Sequence, residues 1–156
     1  MSNVVRLISC SKSEFEQMTP MELKESILKS EGRVICGQHL LFASEGLVRG
    51  VTNTEVMFSW GADMVLLNTM DLDHMENNKG LQGLTFEQLK ARCNRPIGVY
   101  LGCPKAGSED GGKKALYRRE GMVCTPEHVQ KCVDMGVDFV VLGGNPGSGT
   151  SIRDII

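Results

Sequence analysis

The sequence predicts an α/β fold with parallel strands, and three observations lead to this prediction. Four short apolar runs lack the alternation of polar residues that marks a half-exposed strand, so each fits a strand covered on both faces. A helix-start signal follows each of the first three runs. A weak internal repeat relates residues 61–67 to residues 136–142, because each segment reads as a glycine helix stop, a short polar turn and a buried strand.

The length of the repeating unit indicates a (β/α)8 barrel architecture. Residues 33–156 divide into four βα units of about 31 residues each, which is the length per unit of a (β/α)8 barrel. We therefore expect roughly half of a TIM-type barrel, preceded by an N-terminal helical extension over residues 1–32. A small doubly wound α/β sheet is the alternative, because four strands can form it as well. Half a barrel has two open sheet edges, so we expect either a truncated chain that lacks a C-terminal half or a homo-oligomer.

The elements follow in order along the chain. In the extension, Thr19, Pro20 and Glu22 form a capping box with proline at the first helical position, which predicts a helix ending near Gly32. The four predicted strands are residues 34–36, 64–67, 97–101 and 139–142. The helices between them are predicted to begin at Thr52 or Asn53, at Thr85 and at Thr125. Residues 151–156 read as one further helix start.

Composition excludes several classes of function. The chain has 17 basic and 19 acidic residues and a formal net charge of −2, so it has no general attraction for nucleic acids or anionic membranes. No apolar run is long enough to cross a bilayer or to act as a signal peptide, so we expect a cytoplasmic protein. The six cysteines include no Cys-x-x-Cys pair, and we expect free thiols that mostly fill the core.

The segment after the fourth strand is the most informative for function. It is rich in glycine, follows a strand and opens a helix, so its backbone N–H groups and the helix dipole can hold an anion. A flexible βα turn is the alternative. We predict that it binds the phosphate or carboxylate of a small anionic metabolite. The predicted binding residues are Gly143, Gly144, Asn145, Gly147, Ser148, Gly149, Thr150 and Ser151.

Polar side chains near the ends of the first two strands are the catalytic candidates. His39 is expected just past strand one, and Asn68 at the end of strand two could orient a substrate oxygen. Asp71 could accept a proton. Asp71 and Asp73 could instead hold Mg²⁺ through oxygen ligands and water. The alternative for both acids is a solvated polar loop.

The link between strand three and the next helix is long enough for a lid or binding loop. Its basic side chains could meet the anionic ligand when the loop closes, although a solvated basic loop is the alternative. These side chains are Lys105, Lys113, Lys114, Arg118 and Arg119.

Residues 50–55 leading into 61–68, together with residues 136–149, resemble a group of uncharacterised bacterial barrel proteins labelled phosphoenolpyruvate phosphonomutase-like. The resemblance spans about residues 20–156 and corresponds to the N-terminal half of such a protein. The Asn-Pro-Gly-x-Gly stretch at 145–149 is its most specific feature.

Through that label, the resemblance implies the wider phosphonomutase and isocitrate lyase superfamily. Its members form or cleave C–C or C–P bonds in small 2-oxo or carboxylate substrates with Mg²⁺, and Asp71 and Asp73 are the nearest candidates for the metal ligands. The expected function is a lyase or isomerase acting at a carbon next to a carbonyl. A non-catalytic metabolite-binding or regulatory protein, or an inactive fragment, is the alternative.

Overall fold

A computed structural model describes residues 4–43, 46–104, 120–144 and 150–156. Within them, four strands form one sheet in which every neighbouring pair is parallel. The strands are β1 (Cys36–Leu40), β2 (Met64–Asn68), β3 (Ile97–Gly102) and β4 (Phe139–Gly143). The parallel α/β sheet expected from the sequence is therefore confirmed.

The order of the strands bears on the two predicted architectures. The described strands stand in the order of the sequence, β1-β2-β3-β4. A doubly wound sheet reverses its strand order at a switch point, whereas consecutive units of a barrel do not. The described part of the sheet contains no such reversal.

Four of the described α-helices begin after a capping threonine, and the first begins after a capping serine. The helices are α1 (Lys12–Phe15), α2 (Pro20–Lys29), α3 (Asn53–Ser59), α4 (Phe86–Arg92) and α5 (Pro126–Asp134). The first four carry a capping box, in which a Ser or Thr accepts the N3 backbone N–H and the N3 Glu or Gln bonds back. At α5, Thr125 accepts the His128 N–H, but the N3 residue is not an acid or amide. The predicted helix near the end is only a single 3₁₀ turn, Ile152–Asp154.

Strand β1 begins later than the sequence predicted. Only Cys36 of the run 34–36 lies in the strand, and β1 continues through His39 to Leu40 because its backbone pairs with β2 up to Asn68. His39 is therefore inside the strand rather than beyond it. Cys36 is exposed, against the expectation of a buried core thiol.

One face of the sheet packs against the helices and forms the main core. Val65 and Leu67 of β2 and Val99 of β3 are fully buried there, against Phe86 and Leu89 of α4. Side chains alternate between the two faces along a strand, so every second residue of each strand lies on this helix-covered face. No helix within the described ranges is both long and apolar enough to span a membrane.

The opposite face of the sheet, which we call the open face, is covered by the described residues only at one end. The N-terminal extension buries its amino end, where Leu7, Phe15 and Leu23 form a second core with Met64 of β2. Towards the carboxyl ends of the strands, Leu40 remains 41% exposed. By the observed register, the open face carries Gln38, Leu40, Leu66, Asn68, Gly98, Tyr100, Gly102, Phe139, Val141 and Gly143.

Candidate functional site

The carboxyl ends of all four strands lie along one edge of the sheet, which we call the carboxyl edge. Leu40 pairs with Asn68 across β1 and β2, and Gly102 pairs with Gly143 across β3 and β4. Asn68 and Gly143, which the sequence places at two strand ends, therefore do lie on the same edge. Ligands of parallel α/β folds bind at this edge.

Two polar side chains occupy the open face near the carboxyl edge. Leu67 pairs with Val99, so the next residues, Asn68 and Tyr100, are neighbours on the open face. The Asn68 Oδ1 accepts the Thr69 N–H at 2.7 Å. Within the described part of the chain, no acceptor takes the Asn68 side-chain N–H₂, and no partner bonds the Tyr100 hydroxyl. Both groups can therefore donate hydrogen bonds to a ligand on this face.

Tyr100 is a candidate that the sequence analysis missed. A Cβ atom at position 143 would overlap the Tyr100 hydroxyl and ring, so the glycine leaves room for the phenol beside β4. Tyr100 lies inside an apolar run, and the sequence pattern therefore predicts an aromatic residue of the core. The sequence does show a glycine, Gly143, at the end of the next strand. Only the register between β3 and β4 reveals that this glycine lies beside the Tyr100 ring.

The backbone at the end of β2 is strained. Thr69, directly after Asn68, has φ of 61°, in the left-handed region that β-branched residues almost never adopt. Its hydroxyl accepts the Phe42 N–H at 3.3 Å and so ties the chain after β1 to the chain after β2. Strain of this kind persists only where surrounding contacts enforce it, and it concentrates at functional sites.

His39 lies on the other side of the sheet from Asn68. Its side chain faces α3, is 2% exposed, and its Nδ1 stands 2.9 Å from the Thr54 hydroxyl. A Cβ atom on Gly80 would come within 2.8 Å of the His39 Nε2. Burial lowers the pKa of His39 to about 4, so the imidazole is neutral at pH 7. The structure therefore separates His39 from Asn68, because the register of β1 with β2 places the two side chains on opposite faces of the sheet.

Asp71 is fully buried and organises the loop that follows β2. Its carboxylate accepts the backbone N–H groups of Asp73 at 3.1 Å and His74 at 2.9 Å, and the Asn77 side-chain N–H₂ at 2.8 Å. A Cβ atom at Gly121 would overlap the same carboxylate, so residues 120–122 pack directly on it. Asp71 thus joins the loop after β2 to the segment that precedes α5.

Asp73 belongs to a cluster of charged side chains with α5. Its carboxylate forms an ion pair with Lys131 and lies 3.2 Å from the His128 Nε2. The Lys131 hydrogen bond and then the His128 hydrogen bond lower the pKa of Asp73. The His128 Nδ1 lies 2.6 Å from the Val123 carbonyl oxygen, so both ring nitrogens face hydrogen-bond acceptors. Sequence reasoning missed His128 because its partner is distant in the chain.

The carboxylates of Asp71 and Asp73 already have protein partners. Mg²⁺ takes carboxylate and water oxygens that are free to turn towards it. The Asp71 oxygens accept N–H groups, and the Asp73 carboxylate faces a lysine and a histidine. Among the described residues, no group of three or more His, Cys, Asp or Glu side chains has the geometry to hold a metal. Mg²⁺ binding by Asp71 and Asp73 stays a prediction.

Part of the predicted anion site lies within the described residues. Thr150 is 8% exposed, and its hydroxyl donates to the Cys103 carbonyl oxygen at 3.2 Å. The Ser151 N–H and hydroxyl both donate to Asp154 at 2.7 Å. Gly143 and Gly144 continue from β4 at the carboxyl edge. Asn145, Gly147, Ser148 and Gly149, and the basic side chains of Lys105, Lys113, Lys114, Arg118 and Arg119, lie outside the described residues.

A large groove of about 1280 Å³ lies elsewhere, on the helix side of the sheet. It runs between the loop after β2 and the end of α5, with Leu72, Phe86, Lys131 and Met135 among its lining residues. Neither Asn68 nor Gly143 lines it. The carboxyl edge is the candidate site because it carries the hydrogen-bond donors of Asn68 and Tyr100, although the groove has the larger volume.

Comparison with known proteins assigns the chain to one family. No curated protein and no solved structure matches the sequence significantly. One family model matches residues 8–156, which is nearly the whole chain, and its description is Domain of unknown function (DUF7916). The described sheet and the carboxyl edge with Asn68, Tyr100 and Gly143 fall within the matched residues. The chain is therefore a member of the DUF7916 family.

Proposed function

We propose that this protein binds a small phosphorylated or carboxylated metabolite at the carboxyl edge and acts on it as a lyase or isomerase. The observation that carries the proposal is the pair of hydrogen-bond donors, Asn68 and Tyr100, on the open face beside Gly143. Reactions at a carbon next to a carbonyl build negative charge on the carbonyl oxygen. Fixed donors aimed at that oxygen are a main source of catalysis in such reactions. The resemblance to phosphoenolpyruvate phosphonomutase-like proteins agrees with this class.

The proposal includes an architecture. We infer that the four βα units are half of a (β/α)8 barrel, and that a second copy or a C-terminal half supplies the other four. The sequential strand order supports this, as does an open face that the described residues cover only at its amino end. In a barrel, the open face would line the interior and Asn68 would stand at the mouth. We place the protein in the cytoplasm, with no nucleic-acid or membrane partner.

A titration followed by NMR tests the binding step. Inorganic phosphate and phosphoenolpyruvate are added separately to the ¹⁵N-labelled protein, each with and without Mg²⁺. We expect the amide signals of Asn68, Tyr100, Gly143 and Gly144 to shift, because these residues line the carboxyl edge. Consumption of phosphoenolpyruvate, followed in the same tube by ³¹P signals, reports catalysis.

Two matched variants locate the site. Asn68→Ala is expected to weaken binding about tenfold, the effect of one lost hydrogen bond to a charged group. Asn94→Ala removes the same amide from an exposed position near the amino end of β3 and should leave binding unchanged. Equal loss in both variants, or shifts confined to residues away from the carboxyl edge, would contradict the proposed site.

A metabolite-binding protein without catalysis is the second candidate, and one observation favours it. Asp71, the predicted proton acceptor, is fully buried, and its carboxylate bonds to the loop rather than to an open cavity. Binding of phosphate or phosphoenolpyruvate with no turnover, in wild type and in Asp71→Asn alike, is the result expected for this second function.

A further inference from the structure

Cys103 and Cys124 meet where a returning segment of chain lies beside the end of β3. Gly102 and Val123 form a parallel bridge, and the Cys124 N–H donates to the Gly102 carbonyl oxygen at 2.8 Å. The two cysteines are the next residues after that bridge. Paired strands lie about 4.8 Å apart, which is within the range of about 4.4–6.8 Å between Cα atoms that a disulfide spans.

The two side chains also point to the same side. Leu101 faces the helix-covered core, so Cys103, two residues further, faces that side too. Cys124 packs against the same core. Burial raises the pKa of Cys103, and the neighbouring Cys124 thiol raises it further.

We propose that Cys103 and Cys124 are a redox-active pair that forms an intramolecular disulfide when the protein meets hydrogen peroxide. Cys124 is half-buried and Cys103 is buried, so the peroxide reaches Cys124 first. The Cys124 sulfur attacks one peroxide oxygen, the O–O bond breaks, and a sulfenic acid and water form. The Cys103 sulfur then attacks the Cys124 sulfur and expels a second water. Two thiols are oxidised and one peroxide molecule is reduced to two waters.

The surroundings of the remaining cysteines set this pair apart. Cys36 is exposed on β1, and Cys10 bonds to the Leu7 carbonyl oxygen within the N-terminal core. Burial raises the pKa of Cys93 and of Cys132 to about 11, and neither residue follows the bridge between Gly102 and Val123. The neighbouring Cys124 thiol also raises the pKa of Cys132. Cys132 is therefore the alternative disulfide partner of Cys124, and the experiment must distinguish it from Cys103.

Peptide mapping of the whole chain tests the proposal. The reduced protein is treated with hydrogen peroxide, alkylated and digested with trypsin. Cys124 and Cys132 fall in different tryptic peptides, whereas Cys93 and Cys103 share one, because trypsin does not cleave between Arg95 and Pro96. We expect a linked peptide pair that joins the Cys103 peptide to the Cys124 peptide and disappears on addition of dithiothreitol.

Four single variants assign the sulfurs. Cys93→Ser and Cys36→Ser should keep the linked peptide, whereas Cys103→Ser and Cys124→Ser should abolish it. In Cys103→Ser, Cys124 should accumulate as sulfenic or sulfinic acid, because no resolving thiol is present. A link from Cys124 to Cys132, a link between two copies through Cys36, or overoxidised Cys124 without a link in the wild type would each overturn the proposal. Fragmentation of the linked peptide pair from the wild type tells Cys93 from Cys103, so the wild-type map decides the question even if a variant fails to fold.

Discussion

The ring of Tyr100 fills the space that a side chain at Gly143 would need. A Cβ atom added at position 143 would overlap three atoms of the tyrosine, including its hydroxyl oxygen. These residues stand on adjacent parallel strands, at the part of the open face that the N-terminal extension leaves uncovered. Position 143 therefore controls where the phenol lies, and with it one of the two donors of the proposed site.

Gly143→Ala should destabilise the protein by about 1–3 kcal/mol, the usual cost of forcing an extra carbon into a packed contact. Urea denaturation measures the free energy of unfolding. In the double variant Gly143→Ala/Tyr100→Ala the overlap is gone, so the combined loss should be smaller than the sum of the two single losses. Additive losses would mean that the tyrosine can move aside without cost.

The buried imidazole of His39 should make stability depend on pH. Its pKa is about 4 in the folded protein against 6.5 for an ordinary histidine, so the unfolded chain binds more protons between these values. The contribution of His39 is complete above pH 6.5 and is lost as the pH falls towards 4. The slope from this group is at most about 1.4 kcal/mol per pH unit.

Comparison of His39→Gln with wild type isolates that slope, since the carboxylates titrate in both proteins. We expect urea denaturation between pH 4 and 7 to show a shallower decrease of stability in His39→Gln. His74→Gln, which changes an exposed histidine, should keep the wild-type slope. The same slope in all three proteins would show that His39 takes up its proton without cost.

The cluster of Asp73, His128 and Lys131 predicts a shift that carbon NMR can measure. Lys131 and His128 hold the pKa of the Asp73 carboxyl below its ordinary value of 3.8. This group therefore stabilises the fold above pH 3.8 and loses that effect as the pH falls through its lower folded-state pKa. Lys131→Met should raise the pKa of Asp73 towards 3.8, because the Lys131 hydrogen bond is its largest lowering influence.

The carboxyl ¹³C chemical shift of Asp73, followed against pH, reports this directly. Lys24→Met removes an exposed lysine on α2 and is the matched control for the loss of one positive charge. We expect it to leave the titration of Asp73 unchanged. A raised pKa in both variants would assign the effect to net charge rather than to the contact.

The capping threonines should differ in their contribution to stability. Thr52 is 1% exposed, accepts the Glu55 N–H at 3.3 Å and donates its hydroxyl to the Glu55 carboxylate at 2.7 Å. Thr19 makes the same bonds with Glu22 at an exposed position. Loss of such a cap costs about 0.5–2 kcal/mol. We expect Thr52→Ala near the upper end of this range and Thr19→Ala near the lower end.

Thermal unfolding of both variants measures the difference. In Thr52→Ala, the Glu55 carboxylate loses a donor in a partly buried place, whereas water replaces the donor at Thr19. Equal losses would show that solvent also reaches the start of α3.

The local elements could be predicted from the sequence because their causes are local. Threonine three residues before Glu or Gln satisfies the free N–H groups of a helix start wherever it occurs, and α2, α3 and α4 begin at such threonines. Runs apolar on both faces require cover on both faces, so β2, β3 and β4 were predicted within about one residue. Glycines at 61 and 136 do adopt positive φ after their helices.

The faces on which side chains lie could be decided only by the tertiary structure. His39 and Asn68 both belong to strand ends in the sequence, but the extension of β1 and its register with β2 put them on opposite sides of the sheet. The roles of Asp71 and Tyr100 depend on Gly121 and Gly143, each distant in the chain. Capping and burial patterns act over a few residues and can therefore be predicted from the sequence. Register and long-range contacts arise only when the strands pair.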